Sequence, residues 1–176
     1  AINAALWARH QRLPVPVLFL CEDNSIGISV KTPEGWVASQ YADHANLAYF
    51  AADGLDLEDV YDASMRAVEF CRSHRAPVFL HMRCVRLMGH AGSDVETNYR
   101  TIAEIEAVES YDPLLRSAEL LVRRGWATPD EILEFKYRFG QLQQSRLNDV
   151  GAAIAAYRDI LGTAPEHIPA LEALEG

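Results

Sequence analysis

The run VPVLFLCEDNSIGIS, residues 15–29, changes character half-way along. Val15 to Cys21 is rich in β-branched and aromatic residues and reads as a buried strand. Glu22, Asp23, Asn24 and Ser25 follow, and the chain then returns to apolar residues at Ile26 and Ile28, on either side of Gly27. A second run, PVFLHMRCV (77–85), has the same composition and also reads as a buried strand. It too opens into a polar, glycine-containing stretch, RLMGHAGSD (86–94). Between them, from Asp56 to His74, the residues Leu57, Val60, Tyr61, Ser64, Met65, Val68 and Cys71 recur at steps of three and four. That is the pattern of an amphipathic helix, with Asp56 as N-cap and Asp59 three residues on.

Residues 1–12 read as a helix that LPVP ends. The segment 23–46 has no sustained period and reads as loop, with room for one helical turn. ANLAYFAADG (45–54) is a short extended run closed by an Asp-Gly turn. The order helix, strand, loop, short strand, helix, strand predicts an α/β fold with a parallel sheet and flanking helices. Ligands in such folds gather beyond the C-terminal ends of the strands. Both polar stretches, CEDN and RLMGHAGSD, fall at such ends.

After Arg100 the pattern becomes helical: TIAEIEAVES, DPLLRSAELLVRRGW, and one long run from Thr128 to Leu161. Thr128, Pro129 and Glu131 form a helix start, with Thr as N-cap, Pro in the first position and Glu completing a capping box. Residues 1–100 are therefore expected to be an α/β domain and 101–176 a helical C-terminal region. The chain opens in a helical pattern without a cap or an initiator Met, as a fragment of a longer polypeptide would.

Composition narrows the function. Hydrophobic residues make up 49% of the 176 positions, enough for a core. A net charge of −9 argues against nucleic acid as a partner. The longest apolar run is too short to span a membrane, and no signal peptide opens the chain. Cys21, Cys71 and Cys84 lack metal-type spacing and read as buried free thiols of a reducing, cytoplasmic protein.

Asn24 offers a neutral amide oxygen, a ligand suited to a hard cation such as Mg2+. Gly27 permits a bend that frees a neighbouring carbonyl, such as that of Ile26. Arg86 could pair with phosphate oxygens, and Gly89 and Gly92 allow close backbone approach. His90 between them could act as acid, base or hydrogen-bond donor. Each stretch also has a plainer reading, as a strand-ending turn with solvated acids or as a polar surface loop. Taken together, a cation ligand and a phosphate ligand at the ends of two strands of one sheet suit a metal-bridged diphosphate cofactor.

The collinear motifs NAALW, PVLFLCEDNSIGIS, ADGLDLEDVYDA, RCVRLMGHAGSD, NYR, DP and GW span most of residues 1–135. In order and spacing they resemble the alpha chain of the thiamine-diphosphate-dependent 2-oxo acid dehydrogenase component. Relatives act on pyruvate, branched-chain 2-oxo acids or acetoin. The resemblance implies part of a thiamine-diphosphate-binding fold. It gives Asn24 and the Ile26 carbonyl to Mg2+, Ile28 to the wedge that keeps the cofactor bent, and Arg86 to the diphosphate. It sets His90 near the reactive carbon as a catalytic and cofactor-contacting residue, and makes Asp94, Tyr99 and Arg100 the residues that order its loop. Its partners would be a beta chain or beta domain, a lipoyl-bearing acyltransferase and further copies in a homo- or hetero-oligomer. Three departures stand out. The GDG-type motif whose Asp completes the metal site is not in this sequence. The Glu that activates the aminopyrimidine belongs to the beta part. Ala91 stands where mitochondrial relatives carry a phosphorylatable Ser, which excludes phosphorylation there. Acetoin cleavage and a catalytically silent oligomerisation domain are the alternatives, the second disfavoured by retention of Asn24, Arg86, His90 and Asp94 in register.

Overall fold

The computed structural model describes residues 1–175 in two compact units, Ala1–Ser117 and a second that begins at Ala118. The first unit is built on a three-stranded parallel sheet. Its strands are β1 (Leu18–Asp23), β4 (Ala48–Asp53) and β5 (Val78–Arg83), in the order β1-β5-β4. Phe19 and Tyr49 both lie in register with Phe79 of the central strand, and Asp23 and Asp53 both with Arg83. All three strands therefore end at the same level. Helix α3 (Leu57–His74) joins β4 to β5 and buries Ala63, Ala67 and Cys71 against Val78, Leu80 and Ala52. Ala at both contact positions lets the helix lie close to the sheet.

The Asp56 cap forms as the sequence predicts. Its carboxylate accepts from the backbone N–H groups of Glu58 (3.0 Å) and Asp59 (3.3 Å). Asp59 does not reach back to Asp56. It accepts instead from the N–H of Asp53 (2.7 Å) and so ties the helix start to the end of β4.

The strand boundaries differ from expectation in an informative way. β1 starts at Leu18 rather than Val15, because Pro14 and Pro16 have no N–H to give a ladder. It runs two residues further, so that Glu22 and Asp23 are paired with Met82 and Arg83. The acids thus sit inside the strand and not in a turn beyond it. The segment 23–46 is not plain loop. It holds a short hairpin, β2 (Ile26–Gly27) with β3 (Val30–Lys31), and helix α2 (Trp36–Tyr41). Tyr41 of α2 stacks on Phe79 at 4.3 Å between ring centroids, which covers part of the sheet face opposite α3. At the N-terminus, α1 spans Ile2–His10.

Beyond η1 (Glu96–Asn98), helices α4 (Ile102–Glu109) and α5 (Pro113–Arg123) follow. Thr101 and Glu104 cap α4 with a reciprocal box of the same kind as Thr128 and Glu131. The expected long helix from Thr128 is two helices, α6 (Pro129–Ser145) and α7 (Val150–Thr163), with α8 (Ile168–Glu175) after them. Asn148 breaks it with φ +54°, a left-handed conformation that Asn tolerates, and Asp149 caps the restart by accepting from the Ala152 N–H. The Thr128–Glu131 box forms as predicted. Tyr157 and Ile160 are fully buried in the second unit, with Leu133, Tyr137 and Ala170 around them. A Cβ at Gly140 would stand 2.5 Å from the Tyr157 ring, so the close approach of α6 and α7 at this point needs a glycine.

All three cysteines are free. Cys71 is buried, whereas Cys21 and Cys84 are half-buried, and Cys84 lies just past β5. Burial pushes all three thiols up, which keeps them protonated. Among the described residues, no helix is long and apolar enough to cross a membrane.

Candidate functional site

Because β1 and β5 are parallel neighbours, the two polar stretches leave the sheet side by side. The Cys84 N–H donates to the Asp23 carbonyl (2.9 Å), extending the pairing past both strand ends. Asn24 then makes an Asx turn: its Oδ1 accepts from the Ile26 N–H (3.1 Å). Asp23 Oδ1 accepts from the Ser25 N–H (2.8 Å), and Ser25 takes φ +59°.

The hairpin that follows leaves the Ile26 carbonyl outside its ladder. Thr32 N–H bonds to the Ser25 carbonyl (3.0 Å) and Gly27 pairs with Val30, so Ile26 and Lys31 fall between them. Antiparallel ladders alternate bonded and non-bonded pairs. Ile26 is on a non-bonded pair, and its carbonyl is directed away from the partner strand. The two-residue loop is Ile28–Ser29, and Ile28 has φ +59°. A β-branched residue in that region costs on the order of 1–3 kcal/mol, at a turn position where Gly is usual. The residue is 57% exposed although its side chain is fully apolar.

Arg86 joins the two stretches. One of its Nη atoms donates to the Ile28 carbonyl (2.8 Å), and the other donates to Tyr99 Oη (2.7 Å). Tyr99 in turn donates to Asp94 Oδ2 (2.6 Å), which also accepts from the His90 N–H (2.6 Å). Arg100 donates to the Arg86 carbonyl (3.5 Å) and to Glu96 (2.5 Å), an ion pair only 11% and 12% exposed. Gly89 is required here, since a Cβ would come within 2.9 Å of the Asp94 carbonyl. His90 is an exposed residue of this loop.

An open hollow of about 280 Å3 lies beside the first stretch, lined by Asn24, Ser25, Ile26, Lys31, Thr32, Glu34 and Arg100. Asn24, Ile26 and Arg100 therefore share one cavity. Ile28, Arg86, His90, Asp94 and Tyr99 form an adjoining network, linked to it through the Ile28 carbonyl and through Arg100. Lys31, Thr32 and Glu34 carry no motif that marks them as site residues in the sequence. Their place follows from the hairpin, which the sequence did not announce. Lys31 is anchored by Glu104 at 3.3 Å.

Residues 4–140 match the family model described as "Dehydrogenase E1 component". The chain belongs to this family. It is 32% identical over 133 residues to "Pyruvate dehydrogenase E1 component subunit alpha, testis-specific form, mitochondrial" of Homo sapiens, covering 74% of this chain and 33% of that protein. It is 34% identical over 133 residues to the "Pyruvate dehydrogenase E1 component subunit alpha" of Rhizobium meliloti (strain 1021), covering 73% and 36%. A probable mitochondrial counterpart in Caenorhabditis elegans is 31% identical over 120 residues, covering 67% and 30%. The chain is thus an alpha-type E1 component, and it spans about a third of the length of these curated relatives. E1 components depend on thiamine diphosphate, and the donors at the two strand ends can be tested against that group. Among the described residues no three acidic, His or Cys side chains cluster as a metal site. The amide oxygen of Asn24 and the outward carbonyl of Ile26 are hard ligands of the kind Mg2+ takes when phosphate supplies others. Arg86 Nε is buried and has no hydrogen-bond partner, a donor left for an anion. The residues fit a metal diphosphate.

The loop has a predictable pH window. The hydrogen bond from Tyr99, then that from His90 N–H, holds the Asp94 carboxyl below its usual range. The same bond to Asp94 pushes the Tyr99 hydroxyl above its own. A lowered carboxyl stabilises above its unfolded value and loses that contribution as pH falls through its folded value. A raised phenol stabilises below its unfolded value and loses it as pH rises through the folded one. Protection of the His90 amide against hydrogen exchange should therefore stay level between roughly pH 5 and pH 9, given unfolded values near 3.9 and 10. It should fall on both sides. A protection factor that drops between pH 7 and pH 5 would contradict the assignment of Asp94 as the loop's anchor.

Proposed function

We propose that the intact protein is the alpha component of a 2-oxo acid dehydrogenase that decarboxylates its substrate on Mg2+-bound thiamine diphosphate. The observation that carries this reading is the joint between the two strand ends, with Arg86 on the Ile28 carbonyl and its buried Nε unspent. Asn24 Oδ1 and the Ile26 carbonyl would hold the cation, and Arg86 the diphosphate. Ile28, apolar and exposed on a strained turn, would pack against the bent cofactor. When bound, the thiazolium supplies the electron sink for loss of carbon dioxide. His90 would stabilise charge on the substrate or help deliver the acyl group, and Asp94, Tyr99 and Arg100 hold its loop.

The acyl acceptor would be a lipoyl-bearing acyltransferase, and a beta chain or beta domain would supply the activating Glu. Association is supported by apolar side chains left uncovered on helix faces: Leu57, Tyr61 and Met65 on α3, and Phe135, Phe139 and Leu142 on α6. A cytoplasmic setting is in keeping with the three free thiols.

The test is an assay of the full-length protein with its beta partner against a panel of 2-oxo acids, using an artificial electron acceptor. Acceptor reduction that requires both thiamine diphosphate and Mg2+, with at least one acid, is expected. No turnover with any acid, in a preparation that binds both cofactors, would refute the catalytic reading.

A further inference from the structure

Three side chains form a hydrogen-bonded diagonal across the sheet, one from each strand. Tyr49 of β4 bonds through its hydroxyl to His81 Nδ1 (2.6 Å), and His81 Nε2 meets Asp23 Oδ2 (3.0 Å). None of the cofactor contacts proposed above uses Tyr49 or His81. His81 is 15% exposed and Asp23 22%, so neither is a solvated surface group. The in-register neighbours of His81 are Cys21 and Ala51. Both are small, which leaves room for the ring to run diagonally, back to Tyr49 on one side and forward to Asp23 on the other.

We infer that His81 is a positioning residue for the metal-facing turn, acting through Asp23; the inference rests on the proposed role of Asn24. Asp23 immediately precedes Asn24, and all its acceptors are engaged. Oδ2 is held by His81, Oδ1 accepts from the Ser25 N–H, and the backbone carbonyl accepts from the Cys84 N–H. The carboxylate thus bridges the sheet to the turn that carries Asn24. Without His81, the half-buried carboxylate loses its bond to the central strand and can swing toward solvent, taking the Ser25 bond with it. The left-handed Ser25 and the Asx turn of Asn24 then lose their support from behind. Tyr49 sets the ring's rotation from the far side.

Partners that orient a metal ligand are typically worth about 10–100-fold in metal affinity. The experiment measures thiamine diphosphate binding to the full-length protein with its beta partner, by fluorescence quenching, as a function of Mg2+ concentration. His81→Leu should raise the half-saturating Mg2+ about 10–100-fold, with the far-UV spectrum unchanged. His81→Gln places an amide nitrogen where Nε2 lies and should stay near the wild type. His81→Asn reaches only toward Tyr49 and should resemble the Leu variant. The Gln and Asn pair decides the matter even if His81→Leu does not fold. Equal Mg2+ dependence in Gln, Asn and wild type would overturn the inference alone, leaving His81 as packing. A wild type that binds thiamine diphosphate without regard to Mg2+ would overturn it together with the role of Asn24.

Discussion

Replacing His90 with Ala should lower turnover of the assembled enzyme about 10²–10⁴-fold, the usual worth of a positioned acid or base, while cofactor binding is largely kept. His90 is an exposed residue, and its contribution to the shape of the loop is its backbone N–H, bonded to Asp94. An alanine keeps that N–H. Arg86→Ala should behave differently. It removes the bonds to the Ile28 carbonyl and to Tyr99, so the strained Ile28 turn and the His90 loop come apart. Its main signature is a higher thiamine diphosphate concentration for half-maximal rate. Steady-state kinetics on both variants separates the two roles. If both lose cofactor alike, His90 is a structural loop residue and its catalytic role falls.

Gly54→Ala should destabilise the fold by about 3 kcal/mol or more, at the upper end of what overpacking costs. A Cβ at Gly54 would stand 2.2 Å from the Arg83 carbonyl oxygen and 3.2 Å from its carbon. Both are backbone atoms, so no side-chain rotation can relieve the clash. The Gly54 N–H also donates to that carbonyl at 2.7 Å, a bond that any shift would lengthen. The contact joins the end of β4 to the end of β5, three residues before Arg86, so damage there should reach the cofactor residues as well. Chemical denaturation of wild type and variant checks this. An unchanged midpoint would mean that the β4–β5 junction yields more readily than its geometry indicates.

The sequence revealed those parts of the fold whose signals are local. The cores of β1 and β5 are short apolar runs, α3 has a helical period and an Asp cap, and the Thr128 box marks the start of α6; the buried face of α3 is turned from the expected one, with Ala63, Ala67 and Cys71 inward and Leu57, Tyr61 and Met65 exposed. The hairpin is hidden in the sequence because its turn has Ile at the left-handed position, Ile28, where a glycine would announce it. The break between α6 and α7 did have a signal, Asn148 followed by Asp149, but the apolar period continues through it and favoured one helix. At the candidate site, Asn24, Arg86 and His90 were legible as residue types at strand ends, and the resemblance gave them roles. Their connection was not legible. Arg86 and Ile28 are 58 positions apart, as are Asp23 and His81. Both contacts depend on the register of β1 against β5, which no single segment encodes. A histidine inside a strand, as at 81, otherwise reads as an ordinary core residue.

The end of β1 is expected to hold a metal-bound diphosphate through Asn24. Calorimetric titration of thiamine diphosphate into the full-length protein with its beta partner, with Mg2+ and with chelator, tests it most directly when repeated on Asn24→Ala. Binding should be strong with Mg2+, largely lost with chelator, and markedly weakened in the variant at the same Mg2+ concentration. Unchanged affinity and unchanged metal dependence in Asn24→Ala would contradict it.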